Sequence, residues 1–175
     1  RNLPNALHGA VLKLQRSIHY YMANRLRTGD IAPTFRKSST NGMIDLASLL
    51  GNWVILYFYP KNFTSGCTVE SCDFRDQFKE TDGLVLGVSP DPVSSHDKFR
   101  EEHSLPFTLI ADEDHSLANK YGAWGEKTNY GRTYEGLIRS TFIISPDGLI
   151  AEAMYNVKAR GHVARVKKQL EVLKT

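Results

Sequence analysis

The chain has 175 residues, 41% of them apolar and 23% charged, which fits one globular domain large enough to bury a hydrophobic core. Its longest apolar run has the length of a strand, so we expect no membrane span and no membrane partner. Residues 1–21 hold three basic residues and no acid, and removing these three from the total of 22 leaves 19 basic against 19 acidic residues in 22–175. That balance argues against a nucleic-acid partner, which would require a basic patch.

Residues 1–21 differ in composition from the rest of the chain. The stretch from Leu3 to Leu26 has the pattern of a weakly amphipathic helix, and no acid occurs before Asp30. A basic, acid-free leader is typical of organelle targeting, whereas the n-region and h-region of a secretory signal are missing. Alternatively, Met22 is the native start and 1–21 is an upstream extension. We expect a leader or extension over 1–21, one domain over 22–175, and a cytoplasmic location unless the leader is native.

The first half of the domain alternates strand and helix patterns. A turn at Thr40-Asn41-Gly42 predicts an N-terminal β-hairpin. The continuous apolar run Trp53–Tyr59 predicts a strand that is buried on both faces. The other predicted elements of this half are hairpin strands at Ala32–Arg36 and Met43–Asp45, a helix through Val69, Phe74 and Phe78, a strand at Leu84–Val88 and a helix at Ser94–Glu102 capped by serine.

The second half continues the alternation and then ends in a hairpin and a helix. Pro146-Asp147-Gly148 predicts the turn of that hairpin. The predicted elements are a strand at Phe107–Ile110, a helix at His115–Tyr121, hairpin strands at Ser140–Ile144 and Leu149–Met154, and a helix at Lys158–Leu173. This order predicts an α/β fold with a central mixed β-sheet flanked by helices.

The only two cysteines, Cys67 and Cys72, point to chemistry rather than to a structural disulfide. Two cysteines five residues apart close a very small loop, and a bond between them would stabilise little. Cys67 follows a buried strand at the predicted start of a helix, where unsatisfied amides and the helix dipole favour a thiolate. A thiolate is the form of cysteine that attacks peroxides.

The spacing of the two cysteines restricts how they can react together. On one helix, five residues advance about 7.5 Å and place the two Cα atoms about 8.6 Å apart. A disulfide requires a Cα separation of no more than about 7 Å. The pair therefore cannot bond while the helix is intact, and we expect its first turn to unwind when a disulfide forms. A thioredoxin-type Cys-x-x-Cys pair can bond without that disruption.

The loop before Cys67 supplies three further candidates. The Thr64 hydroxyl lies within reach of the sulfur or of a bound oxygen, and Gly66 allows a close approach of the backbone. Pro60 fixes the exit from the strand and is positioned to shield the sulfur from water. Each also has an ordinary structural interpretation: Thr64 as a helix cap, Gly66 as a turn residue and Pro60 as a strand terminator.

The loop and the cysteine spacing resemble a known family. Pro60-Lys61-Asn62-Phe63-Thr64-Ser65-Gly66-Cys67 matches the peroxiredoxin pattern P-x-x-x-T-x-x-C, and a second cysteine five residues later resembles the bacterioferritin-comigratory-protein, or PrxQ, subfamily. The resemblance runs from Leu26 to Leu173. It includes three further motifs: Gly29-Asp30-Ile31-Ala32-Pro33-Thr34-Phe35, Trp124-Gly125-Glu126-Lys127 and Arg139-Ser140-Thr141-Phe142.

The resemblance implies a fold and a role for each site residue. It implies a thioredoxin-like fold with the added N-terminal hairpin, Cys67 as the peroxidatic residue and Cys72 as the resolving residue. Thr64 would hydrogen-bond the thiolate and the peroxide. Arg139 would stabilise the thiolate and the charge that develops as the O–O bond breaks, although an arginine can also serve as a surface ion-pair partner. The family commonly has proline where Ser65 stands, so this loop is expected to be less rigid.

The resemblance also implies the substrate and the partners. Cys67 would reduce hydrogen peroxide or organic hydroperoxides to give a sulfenic acid, Cys72 would form the disulfide, and thioredoxin or a similar dithiol would reduce it. No cofactor or metal is expected, because no histidine has metal-ligand spacing with the cysteines. A monomer is the family-based expectation. Trp124 is expected beside the site, on a partner surface or in the core.

Two alternatives remain from the residues alone. A thiol–disulfide oxidoreductase acting on proteins would use the same thiol chemistry, but such proteins usually carry Cys-x-x-Cys and a cis-proline. Here the corresponding strand begins Arg139-Ser140-Thr141, without proline. A non-catalytic binding or chaperone module would carry the cysteine pair as a vestige. Peroxide consumption that depends on Cys67 distinguishes the peroxidase from both.

Overall fold

The computed structural model describes residues 25–175 together with residues 9, 11–13 and 15. The helix predicted from Leu3 to Leu26 lies largely outside the described residues, and Arg25 and Leu26 themselves are not helical. Within the described part of the chain, no helix combines the length and apolar character that a membrane span requires.

Within residues 25–175, seven strands form one mixed sheet in the order β2-β1-β5-β4-β3-β8-β9. Strands β3, β4 and β5 run parallel, whereas the hairpin β1–β2 and the pair β8–β9 are antiparallel to their neighbours. The strands are β1 (Arg36–Ser39), β2 (Gly42–Asp45), β3 (Val54–Phe58), β4 (Leu84–Ser89), β5 (Thr108–Ala111), β8 (Ser140–Ile144) and β9 (Ile150–Met154). A separate hairpin consists of β6 (Trp124–Asn129) and β7 (Arg132–Leu137).

Helices cover both faces of the sheet. They are a 3₁₀ turn (Leu46–Leu49), α1 (Ser65–Gln77), α2 (Val93–Glu102), α3 (Ser116–Lys120) and α4 (His162–Lys174). Apolar residues of α1, α2 and α4 contribute to one core, and α3 and the segment before β1 contribute to the other. The predicted mixed sheet flanked by helices is therefore confirmed.

Strand β3 separates the two cores by simple alternation. Leu56 and Phe58 point into the core beneath α3, and Ile55 and Tyr57 point into the core beneath α1 and α4. Every residue of β3 is buried. The uninterrupted apolar sequence is thus explained, because both faces of this central strand are covered.

Several predicted boundaries were wrong. The first strand begins at Arg36 rather than Ala32, because Pro33 has no amide hydrogen to donate to a neighbouring strand. Helix α2 begins at Val93 after Pro92, and no serine side chain caps it. Helix α4 begins at His162 rather than Lys158, since Gly161 has a left-handed φ of 75° that interrupts the helical path. The hairpin β6–β7 was not predicted.

The sheet register brings two distant segments together at one end of β3. Phe58, the last residue of β3, pairs with Ser140, the first residue of β8. The chain leaving β3 leads through a loop into α1, while Arg139 directly precedes β8. The start of α1 and Arg139 therefore meet at the same edge of the sheet, although they are 72 residues apart.

Candidate active site

Cys67 lies in the first turn of α1 and is almost fully buried, with 1% of its surface exposed. The helix begins after Thr64, whose backbone is extended, and Cys67 is its third residue. Amides in the first turn of a helix have no carbonyl partner within the helix, and their partial positive charge favours an anion nearby. This position places the sulfur in the helix turn whose amides attract an anion.

Arg139 connects the sulfur to a buried acid. Its Nη2 donates to Sγ of Cys67 at 3.1 Å, and its Nη1 donates to Oε1 of Glu70 at 2.8 Å. The planar guanidinium can bond two acceptors at once, which a lysine ammonium cannot do with the same fixed geometry. Glu70, on the same helix as Cys67, therefore holds the Arg139 guanidinium against the Cys67 sulfur.

Glu70 was not among the residues selected from the sequence. It lies one helical turn after Cys67 and is fully buried, and its Oε2 has no hydrogen-bond partner among the described residues. Burial raises the pKa of Glu70 to about 7, although Arg139 opposes this shift. A possible signal was present: Glu70 and Phe74 are four residues apart on one helical face, so an acid occupies a core position and needs a partner.

The loop from Pro60 to Gly66 shapes the approach to the sulfur. Pro60 follows β3 and is half-buried. The Thr64 hydroxyl donates to the carbonyl of Lys61 at 2.8 Å, and the Thr64 carbonyl accepts from the Thr68 amide at 2.9 Å. In this structure Thr64 thus braces the loop and begins the helix, while its side chain is exposed to an incoming ligand.

Gly66 is less constrained than the sequence suggests. A Cβ at this position would lie 3.5 Å from Nη2 of Arg139 and 3.6 Å from Cβ of Ala159, which is ordinary van der Waals contact. The site therefore has room for a methyl group there. The contact also places the segment around Ala159 against the start of α1.

Cys72 lies on the same helix as Cys67 and is partly buried. Both cysteines are free. Burial is the main influence that raises the pKa of Cys72, assisted by Asp76 and Asp73 and opposed by Arg75. Because α1 is continuous from Ser65 to Gln77, helix geometry keeps the two Cα atoms about 8.6 Å apart.

The hairpin β6–β7 adds a second cation to the site. Lys127 pairs with Tyr134 across the hairpin and is half-buried, and a Cβ on Gly136 would come within 3.4 Å of its Cδ. Burial and Arg139 lower the pKa of Lys127, and the charge of Cys67 acts in the opposite direction. Trp124, at the base of the hairpin, stacks on His115 with a centroid separation of 3.7 Å and packs against the α3 core.

The described residues include no group of three or more histidine, cysteine, aspartate or glutamate side chains placed to hold a metal ion.

Comparison with known proteins identifies the family of this chain. Residues 28–153 match the AhpC/TSA family. A peroxiredoxin Bcp of Bacillus subtilis is 41% identical over 150 residues, which cover 83% of this chain and 96% of the relative. A putative peroxiredoxin of Mycobacterium tuberculosis is 46% identical over 152 residues, covering 85% of this chain and 97% of the relative.

Solved structures lead to the same group. A cysteine-to-serine variant of PrxQ from Xylella fastidiosa superimposes with a TM-score of 0.79 at 33% identity, covering 86% of this chain and 99% of that chain. The bacterioferritin comigratory protein of Xanthomonas campestris, solved in work on its alkyl peroxide reduction activity, gives 0.75 at 35% identity, covering 81% and 92%. The thioredoxin-like fold is thereby confirmed.

The match extends across most of this chain and nearly the whole length of its relatives, and the cysteine at the start of α1 with an arginine on its sulfur fits the chemistry of such proteins. The chain belongs to the AhpC/TSA family, among the Bcp or PrxQ peroxiredoxins, and is a thiol-dependent peroxidase with a peroxide substrate and a thiol reductant.

Proposed function

We propose that Cys67 reduces hydrogen peroxide and organic hydroperoxides, that Cys72 resolves the oxidised sulfur as an intramolecular disulfide, and that thioredoxin or a similar dithiol restores both thiols. The contact that carries this assignment is the 3.1 Å hydrogen bond from Arg139 to Sγ of Cys67. A fixed guanidinium and the helix amides together stabilise a thiolate there.

In the first step the Cys67 thiolate attacks the terminal peroxide oxygen. An S–O bond forms while the O–O bond breaks, the thiolate is oxidised to a sulfenic acid, and the leaving oxygen takes up a proton as water or an alcohol. Arg139 is placed to stabilise negative charge as it moves from sulfur to oxygen. The exposed Thr64 hydroxyl is the candidate hydrogen-bond partner for the bound peroxide, once it rotates from the Lys61 carbonyl.

In the second step the first turn of α1 unwinds and Cys72 attacks the sulfenic sulfur. An S–S bond forms and water leaves. An external dithiol then reduces the disulfide by exchange and is itself oxidised to a disulfide. The unwinding is required because the intact helix holds the two Cα atoms too far apart.

Single-turnover and steady-state assays test the two cysteines separately. We expect Cys67→Ser to abolish peroxide consumption with thioredoxin, and Cys72→Ser to form the sulfenic acid but recycle slowly. The matched control is Gln77→Ala, at the opposite end of the same helix from Cys67. Peroxide turnover that survives Cys67→Ser would exclude the assignment.

A panel of substrates tests the peroxide class. Hydrogen peroxide, tert-butyl hydroperoxide and a fatty-acid hydroperoxide differ in bulk and polarity. Exposed Phe63 in the loop and the half-buried Trp124 favour turnover of the organic peroxides. Turnover of hydrogen peroxide alone would remove the organic substrates from the proposal.

A further inference from the structure

The segment from Pro60 to Thr64, between β3 and α1, contains one buried residue, Asn62, between exposed Lys61 and Phe63. Only 3% of Asn62 is exposed, and the sequence motif gave it no role. A buried amide side chain must have its polar atoms satisfied, so the partners of Asn62 show what the loop is attached to.

Every polar group of the Asn62 side chain has a partner outside the loop. Its Oδ1 accepts from the Tyr59 hydroxyl at 2.6 Å, and its Nδ2 donates to Oγ of Ser95 at 3.1 Å and to Nδ1 of His96 at 3.0 Å. Its backbone amide donates to Oδ2 of Asp91 at 2.8 Å. These bonds join the loop to Tyr59 directly after β3, to Asp91 just after β4 and to the first turn of α2.

His96 is suited to the acceptor role. It is fully buried, and burial lowers its pKa while Asp91 opposes the shift, so the ring is neutral near neutral pH. A neutral ring with its proton on Nε2 leaves Nδ1 free to accept from an amide. The amide donor of Asn62 therefore fixes the tautomer of His96 as well as the position of the loop.

A second contact supports the same attachment. The ring of Phe63 meets Phe99 of α2 edge to face, with centroids 5.3 Å apart, and Phe63 itself has a left-handed φ of 66°. A non-glycine residue in this region is strained, and such a conformation persists only where neighbouring contacts hold it. Asn62 and Phe63 supply those contacts.

The attachment is connected to the turn that carries Cys67 by a short series of hydrogen bonds. Asn62 fixes the adjacent Lys61 carbonyl, which accepts the Thr64 hydroxyl. The Thr64 carbonyl in turn accepts from both the amide and the hydroxyl of Thr68, one residue after Cys67. The first turn of α1 is therefore built on a loop that Asn62 holds in place.

We propose that Asn62 is a positioning residue for Cys67: it anchors the loop on α2 so that the first turn of α1 forms for peroxide attack, and it marks the fixed boundary at which unwinding stops when the disulfide forms. This inference rests on the proposed chemistry of the two cysteines. It predicts that loss of Asn62 slows peroxide attack without slowing disulfide formation. Peroxide attack needs the wound turn, whereas disulfide formation needs it unwound.

The test is a pair of rates measured on the full chain after a single addition of hydrogen peroxide. The attack rate is measured in competition with catalase, and the disulfide rate by rapid quenching, thiol alkylation and mass spectrometry. We expect Asn62→Ala to slow attack about tenfold through its lost hydrogen bonds while disulfide formation stays equal or becomes faster. Asn62→Asp keeps the acceptor for Tyr59 but buries a second carboxylate beside Asp91, so we expect it to slow attack as well.

A matched control separates positioning from general destabilisation. Ile144→Val removes a methyl group from the core on the other face of the sheet and lowers the melting temperature without touching the loop. We expect its attack and disulfide rates to match those of the unaltered chain. Phe63→Ala removes the second contact with α2 at a half-exposed site, so it reports on the same attachment even if Asn62→Ala fails to fold.

Attack at the unaltered rate in every folded variant of Asn62 and Phe63 would overturn the inference, as would an equal slowing of attack in the Ile144→Val control. Neither result bears on Cys67 itself. An unaltered chain that consumes no peroxide would instead overturn the proposed function, so the two failures can be told apart.

Discussion

Arg139 donates hydrogen bonds to both the Cys67 sulfur and Glu70, and these two bonds explain why the residue type matters. A lysine at this position would keep the charge but lose the planar fork. We therefore predict that Arg139→Lys slows peroxide attack about 100-fold, as the loss of a donor at a developing charge commonly does. Stopped-flow measurement of sulfenic acid formation checks this, with the exposed Arg132→Lys as control. A loss below threefold would contradict the assigned role.

Glu70 makes the stability of the folded chain depend on pH. Its pKa rises from 4.5 to about 7 on folding, so the folded state holds a proton that the unfolded state has lost. The stability associated with that proton is fully present below pH 4.5 and is lost as the pH rises through about 7. Glu70 accounts for a fall in the free energy of unfolding on the order of 3 kcal/mol at most across this pH range. We predict that this fall is absent in Glu70→Gln.

Chemical denaturation at pH 5, 6, 7 and 8 measures that slope for both proteins. Glu80→Gln, on an exposed acid, is the control and should leave the slope unchanged. An equally steep slope in Glu70→Gln would show that another group carries the dependence.

The sequence identified candidate site residues that share a local motif. It missed Glu70, whose role depends on its position in the folded chain. Pro60, Thr64, Cys67 and Cys72 lie within 13 consecutive positions, so their spacing is readable. Glu70 lies among them, but its importance depends on burial beside Arg139, which only the pairing of β3 with β8 produces.

Helix α1 is the element in which folding and chemistry are coupled. We predict that oxidation to the disulfide removes hydrogen-exchange protection from amides in its first turn, while amides near Phe74 and Phe78 stay protected because those rings remain in the core. Exchange measured by mass spectrometry on the reduced and oxidised chains checks this. Cys72→Ser treated with one equivalent of peroxide is the control and should keep its protection. Full protection of residues 67–72 in the oxidised chain would contradict the required unwinding.

The hairpin β6–β7 brings Lys127 close enough to influence Cys67. We predict that Lys127→Met slows peroxide attack about threefold at low ionic strength and less at high salt, because one partly hydrated charge acts through a screened field. The exposed Lys98→Met, on α2, is the control and should change neither the rate nor its salt dependence. A rate that is independent of Lys127 at every salt concentration would remove the hairpin from the site.

A strand could be predicted from the sequence where all of its residues are buried, but not where its burial varies from residue to residue. Strand β3 could be predicted because all its residues are apolar and buried. The hairpin β6–β7 could not, since most of its residues are exposed and polar, and its turn at Tyr130 and Gly131 was its clearest signal.

For the whole molecule, the order of strands in the sheet is set by packing that periodicity does not encode. In the sheet, β3 lies between β4, which is the next strand in the chain, and β8, which comes much later in the chain. The family resemblance implied this topology, whereas the alternation of elements predicted only a mixed sheet.

The N-terminal segment offers a prediction at the same scale. Leu26 donates its amide to the Tyr155 hydroxyl at 2.8 Å, and the Arg25 guanidinium lies 4.8 Å from the centroid of the Tyr155 ring. We predict that a chain starting at Gly29, which lacks these contacts, melts about 5 °C below one starting at Met22. Calorimetry of the two chains checks this, and equal melting temperatures would contradict a stabilising role for these contacts.

The continuity of α1 also affects the free energy of the oxidised form relative to the reduced form. In the proposed cycle, forming the disulfide gives up the first helical turn and the bond from Arg139 to sulfur, so the oxidised form would be less stable than an unconstrained disulfide. Each 1.4 kcal/mol of that cost would raise the reduction potential by about 30 mV. On this proposal, the helix that first presents the sulfur to peroxide also makes the disulfide easier for a dithiol to reduce.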